Sequence, residues 1–188
     1  MKVILASRSP RRRELLGKII EKFDIVTCDA DETLPEEVHP REGVGILAIR
    51  KGQAVLPLVE VDCLIISSDT LVELDGIALG KPTDEADAVR ILLSLSGKTH
   101  RVHTGVAVRY RGKVFSGVDT AHVTFRKFDE TEAKEYVKTG EPMDKAGAYA
   151  IQGIGGKFVE SYSGEFDTIV GLGLKLTKEL IGQATKDE

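Results

Sequence analysis

Only two cysteines occur in the 188 residues, Cys28 and Cys63, and they form no Cys-x-x-Cys pair. A disulfide framework is therefore not expected, and a reducing compartment fits. No apolar run approaches the roughly eighteen residues of a membrane-crossing helix, and the N-terminus has no signal-like apolar stretch. Basic excess is missing as well: 26 Lys and Arg stand against 30 Asp and Glu, a net charge of −4. Chains that coat nucleic acid are normally basic, so neither nucleic acid nor membrane is expected as a partner. Low-complexity tracts and internal repeats are absent. With 41% hydrophobic and 30% charged residues, the chain reads as a soluble, cytoplasmic protein, residues 1–188 forming one domain or two lobes sharing one sheet.

Several chemistries lose their usual motifs. The P-loop pattern Gly-x-x-x-x-Gly-Lys-Ser/Thr does not occur, and Gly153-Ile-Gly-Gly156 follows no strand-to-helix turn with a trailing acid, as a dinucleotide fingerprint would. His100 and His103 lie three apart on an expected strand and so point to opposite faces. His39 and His122 have no evident partner. A zinc site is not expected.

What is present concentrates at the N-terminus. Val3 to Ala6 reads as a strand that ends in Ser7-Arg8-Ser9, and Pro10 opens a helix with Arg11, Arg12 and Arg13 in its first turn. Cations normally avoid that end of a helix, where the macrodipole already places positive charge. Free backbone N–H groups, serine hydroxyls and guanidiniums together make an anion receptor suited to phosphate. In a mildly acidic protein, such a local basic cluster points to a small anion.

The helical stripe runs from Arg11 to Phe23, with a short strand at Ile25 to Cys28 and an acidic loop at Asp29 to Thr33. Arg41 to Leu58 reads as a helix, and Val61 to Ser67 as a strand covered on both faces. Asp75-Gly76 marks a hairpin between Leu71–Leu74 and Ile77–Leu79. A helix at Thr83–Leu95 has Thr83 as its expected N-cap. Thr99 to Tyr110 and Lys113 to Arg126 form a second hairpin about Arg111-Gly112. Asp129 to Thr139 is a helix with a capping box, Phe158–Ser161 a strand and Leu174–Ile181 an amphipathic helix. This order predicts a mixed α/β (α+β) sheet, elongated into two lobes with a deep cleft.

Ser68-Asp69-Thr70 directly follows the buried strand, where open α/β sheets place their sites. A plain turn is the alternative there. Lys81, between Gly80 and Pro82, is placed to reach a phosphate oxygen or is an ordinary solvated lysine. Glu32 and Asp69 together offer the one or two carboxylates with which Mg²⁺ is commonly held beside phosphate; alone, Glu32 is one acid in a solvated loop. In Gly140 to Gly153, small residues let the backbone approach a ligand or a packed element. Asp144-Lys145 reads as an ion pair, and Gln152 offers an amide suited to a base edge.

Taken together, Leu5-Ala-Ser-Arg-Ser-Pro-Arg-Arg12 with Glu14-Leu-Leu16, Ser68-Asp-Thr70, Gly80-Lys-Pro82, Leu95-Ser-Gly-Lys-Thr-His100, Gly140-Glu-Pro142 and Asp144 to Gly153 resemble the Maf family of nucleoside triphosphate pyrophosphatases. Their order holds from about Val3 to Ile181. The resemblance implies a two-lobed Maf/inosine-triphosphatase-like fold, often a homodimer. It implies cleavage of a nucleoside triphosphate to monophosphate and pyrophosphate with Mg²⁺ or Mn²⁺. On it, Asp69 is the catalytic base and, with Glu32, a metal ligand. Ser7, Arg11, Arg12, Lys51 and Lys81 bind phosphates, and Arg11, Thr70 and Gln152 set substrate choice. The Asp144–Gln152 stretch is similar to the branch acting on dTTP and UTP. Modified or purine triphosphates, or nucleotide sensing without chemistry, are the alternatives. Three departures from the family pattern stand out: Gly52, expected to loosen the helix carrying Lys51; Gly171-Leu-Gly-Leu174; and Asp167. The last two are expected to touch C-terminal packing more than the reacting groups.

Overall fold

The computed structural model describes residues 1–35 and 37–186. Among these, seven strands form one mixed sheet. β1 (Lys2–Leu5) lies parallel between β2 (Asp24–Ile25) and β3 (Cys63–Leu74). Beyond β3 the sheet is antiparallel, through β5 (Thr99–Tyr110) and β6 (Lys113–Phe125) to β7 (Val159–Ser163), while β4 (Ile77–Leu79) pairs with the far end of β3. Both hairpins turn where the sequence places them. Asp75 and Gly76 have φ of 53° and 84°, Arg111 and Gly112 47° and 76°, the left-handed pairs that tight hairpins require. Among the described residues, six α-helices cover the sheet: α1 (Pro10–Gly17), α2 (Pro40–Ala54), α3 (Glu85–Leu95), α4 (Glu130–Val137), α5 (Phe166–Val170) and α6 (Leu174–Ala184).

The two-lobed character is written into one face of β3. Its alternate residues read Leu64, Ile66, Ser68, Thr70, Val72, Leu74. Leu64 and Ile66 join a core with Leu16, Val106, Leu172 and Leu180. Val72 and Leu74 join another with Leu92, Phe125, Tyr136 and Phe158. Ser68 and Thr70, with Thr104 beside them on β5, form a polar waist between the two apolar clusters. The opposite face of the sheet is covered by α2, whose Val44 and Ala48 are fully buried.

Several boundaries differ from expectation. β3 does not stop at Ser67; it runs to Leu74 and absorbs both expected strands, so Ser68-Asp69-Thr70 lies within a strand rather than after one. α1 ends at Gly17, a weak helix former, although Ile19, Ile20 and Phe23 still pack onto the core from the turns beyond. The second strand spans Asp24–Ile25 and shares only Ile25 with the expected Ile25–Cys28. α3 is capped by Asp84, which accepts the Asp87 N–H at 2.7 Å, and not by Thr83, whose own N–H is held by the Asp87 carboxylate. Asp129 caps α4 by accepting the Glu132 N–H, but the Glu132 side chain turns to Arg126 instead of closing the box.

Candidate active site

β1 pairs with β3 only as far as Ile66, where the Ala6 N–H makes a last bond at 2.8 Å to the Ile66 carbonyl. The chain then leaves the sheet through Ser7-Arg8-Ser9 into α1. β3 continues, held from Ser67 to Leu71 by β5 on one side alone. That missing neighbour is a notch in the sheet. A cleft of about 700 Å³ opens there, between the two cores. Ser7, Arg11, Arg12, Glu32, Lys51, Asp69, Thr70, Lys81 and Gln152 all line it.

On one wall, α2 brings Lys51 against the carboxylate of Asp69, which is 8% exposed. The same ammonium lies 2.9 Å from Glu32. Glu32 is held below the usual carboxylate range chiefly by its hydrogen bond from Lys51; partial burial opposes this, while the charges of Lys51, Lys81 and Arg12 reinforce it. Helix and strand come this close because the residue paired with Asp69 across β5 is Gly105. A Cβ there would stand 2.5 Å from the Val44 carbonyl of α2. Gly52 serves the same approach: a Cβ would meet the Ser67 hydroxyl at 2.6 Å. α2 runs unbroken through Gly52 to Ala54.

The other wall is built around Arg12. Its Nε donates to the Gly171 carbonyl at 2.8 Å and its Nη2 to the Thr70 hydroxyl at 3.1 Å. Burial lowers the pKa of the guanidinium, with Arg11 adding to the effect and Asp69 and Glu32 opposing it. The group stays charged, so a bound anion gains strongly from it. Gly171 has φ of 122°, and a Cβ on it would crowd the Thr70 hydroxyl at 3.2 Å and Arg12 Nε at 3.3 Å. The segment after α5, expected to touch packing more than the reacting groups, thus anchors Arg12 of the cleft.

The serines act differently from the sequence expectation. Ser9 caps α1, its hydroxyl accepting the Arg12 N–H at 3.4 Å, while Ser7 accepts the Ser9 N–H at 3.2 Å. Two of the backbone donors reserved for an anion are therefore committed within the loop. Arg13 does not line the cleft; Arg8 does, paired with Asp29 at 3.0 Å. Lys81 and Gln152 enter from the second lobe, both exposed. Lys81 sits on a turn tied down by the Gly147 N–H bonding the Gly80 carbonyl at 3.1 Å. The sequence reading left out Lys145 as a site residue: its side chain is mostly buried in the cleft wall and pairs with Asp144, which also feels Arg11. The signal was its place within the Asp144–Gln152 motif.

The donor set suits a hard divalent cation. Two carboxylates from separate segments already share one positive group, and their oxygens, with water and phosphate, are what Mg²⁺ or Mn²⁺ takes. No third His, Cys, Asp or Glu completes a cluster among the described residues. His100 and His103 fall on opposite faces of β5, as their spacing predicts. His100 bonds the Tyr149 hydroxyl at 2.8 Å, and burial brings its pKa down to about 4. His103, on the other face, bonds Glu73 at 2.7 Å. His39 does have a partner, contrary to expectation, at 3.7 Å from Glu73.

Residues 2–184 match the family described as Maf-like protein. The chain belongs to the Maf family. Maf relatives named dTTP/UTP pyrophosphatase include one from Vibrio cholerae, 44% identical over 96% of both chains. Another, from Clostridium beijerinckii, is 44% identical over 96% of this chain and 98% of its own. A third, from Thermococcus kodakarensis, is 42% identical over 95% and 94%. A solved structure from Mycobacterium abscessus, titled a nucleoside-triphosphatase and dITP/XTP pyrophosphatase, aligns with a TM-score of 0.49 at 14% identity, covering 99% of this chain and 95% of its own. No helix among the described residues of this Maf protein is long and apolar enough to cross a membrane.

Proposed function

We propose that this Maf protein hydrolyses nucleoside triphosphates, dTTP and UTP foremost, to the monophosphate and pyrophosphate. The observation that carries the reading is the convergence of Asp69, Glu32, Lys51, Lys81, Arg11 and Arg12, drawn from five separate stretches of chain, on one cleft. A triphosphate carries about four negative charges, and a partly desolvated site has to supply cations to hold them. Arg11, Arg12, Lys51 and Lys81, with Ser7, take the phosphate chain. Asp69 accepts the proton of a water directed at the α phosphorus, so that the new P–O bond forms as the bond to the β-phosphate oxygen breaks. Pyrophosphate departs with its charge matched by guanidinium and ammonium groups, which is where such catalysis chiefly lies. Asp69 and Glu32 would hold a divalent ion, which supplies further neutralisation of phosphate charge when bound. Thr70 and Gln152 meet the nucleoside.

The test is a panel of common and modified triphosphates with Mg²⁺ or Mn²⁺, detecting monophosphate and pyrophosphate separately. Equimolar monophosphate and pyrophosphate, greatest with dTTP and UTP, is the expected result. Orthophosphate release would place the cut elsewhere. Binding without turnover across the panel would make the protein a nucleotide sensor, and turnover of purine or modified nucleotides alone would shift the substrate class. The same reading includes a homodimer in the cytoplasm; sedimentation tests the first and fractionation the second.

A further inference from the structure

Thr104 lies on the polar waist, 0% exposed, and does not line the cleft. Its hydroxyl stands 2.7 Å from the Thr168 carbonyl and 3.0 Å from the Thr70 hydroxyl. A carbonyl only accepts, so the single proton of Thr104 lies on the Thr168 contact. The Thr70 contact needs a proton too, and only Thr70 is left to give it. Thr70 therefore has nothing to donate toward the cleft. Its remaining lone pairs face outward, and one takes Arg12 Nη2 at 3.1 Å. Arg12 Nε is fixed at the same time by the Gly171 carbonyl, which also accepts from the Ser68 hydroxyl at 3.0 Å. Two of the five guanidinium N–H groups are thereby spent on the wall, leaving the others to a ligand.

We infer that Thr104 is a positioning residue: by fixing the proton of Thr70, it makes that hydroxyl a permanent acceptor for Arg12 and so presents the free edge of the guanidinium to a phosphate. This rests on the reading of the cleft as a triphosphate site. With Thr104 unable to accept, the Thr70 proton loses its fixed direction, and the lone pair that takes Arg12 Nη2 is no longer held in line with it. Because Thr104 is fully buried, water has no place from which to replace its hydroxyl.

The experiment is a double-mutant cycle read by calorimetric binding of inorganic pyrophosphate, with kcat and KM for UTP measured alongside. Thr104→Val keeps the shape of the side chain and removes the hydroxyl. It should weaken pyrophosphate binding about fivefold and raise KM for UTP similarly, with a smaller change in kcat. Thr104→Ser, which restores the hydroxyl, should restore both. In a Thr70→Val background, Thr104→Val should have no further effect, because the hydroxyl it orients is gone. Additive losses, or failure of serine to rescue, would overturn the inference while leaving the cleft an anion site. A wild type that binds no pyrophosphate would remove the reading of the cleft and this inference with it. Melting temperatures guard against simple loss of packing, which would lower stability in both backgrounds alike.

Discussion

At the scale of single residues, the cleft joins two kinds of side chain that repel or neutralise one another unless a ligand intervenes. Lys51 holds Asp69 and Glu32 together, and Arg12 is anchored by uncharged acceptors, so its charge is left over for something else. Asp69→Asn keeps the shape and removes the negative charge and the basic oxygen. Pyrophosphate release should fall by about three orders of magnitude while the melting temperature changes by only a few degrees. Near-normal turnover would take Asp69 out of the chemistry. Lys81 is exposed and makes no close ion pair among the described residues. Lys81→Ala should raise KM for the triphosphate roughly tenfold, and steady-state kinetics with unchanged KM and kcat would reduce it to a surface lysine. Which residues meet was largely legible beforehand, because cations at a helix N-terminus and carboxylates between apolar stretches violate local rules that a site can satisfy. How they are held was not. Nothing in the sequence pairs Arg12 with the Gly171 carbonyl, 159 positions away. Backbone acceptors carry no sequence signal.

Elements explain why the site sits where it does. A strand that loses its neighbour halfway creates an opening without needing a loop, and β3 is long enough to be core at both ends and to line the cleft in the middle. Sequence reading broke this strand in two at Ser68, since polar residues at the waist interrupt the apolar pattern that signals a strand. The hairpins were legible because their turn residues are local; the extent of β3 was not, because it is set by β5, some 35 positions later. The close seat of α2 yields a prediction at this scale. Gly105→Ala drives a methyl group into the Val44 carbonyl, backbone that cannot swing aside. The cost should be about 1–3 kcal/mol in chemical denaturation, and displacement of Lys51 should lower kcat/KM as well. Gly182→Ala on α6, with nothing within 4 Å of the added carbon, is the control. It should be neutral to about 1 kcal/mol stabilising, with activity unchanged.

For the molecule as a whole, the cleft depends on two cores keeping their relation, and one of them contains a group that resists protonation. His100 is 1% exposed, edge-on to Phe125, and bonded to Tyr149, a residue of the cleft wall. Burial lowers its pKa from 6.5 in an open chain to about 4. Above pH 6.5 neither state binds the proton, and the full stability is present. Between 6.5 and about 4 the unfolded chain takes it up and the folded chain does not, so stability falls as pH falls through that window. The loss levels off below the folded value, at a total on the order of 3 kcal/mol. His103, also lowered by burial but partly restored by Glu73, pulls in the same direction, and carboxylates add their own dependence. Comparison with His100→Gln separates these. The variant should be less stable at pH 7.5, having lost a fitted ring, yet its stability should fall less steeply between pH 6.5 and 4.5. Denaturant midpoints across that range check it, and parallel slopes for the two proteins would show that His100 takes up its proton in the folded and unfolded chains alike. Pyrophosphate should raise the midpoint of the wild type at every pH at which the cleft still binds it, since a ligand held by Arg12 from one lobe and Lys81 from the other stabilises only the state in which both are in place.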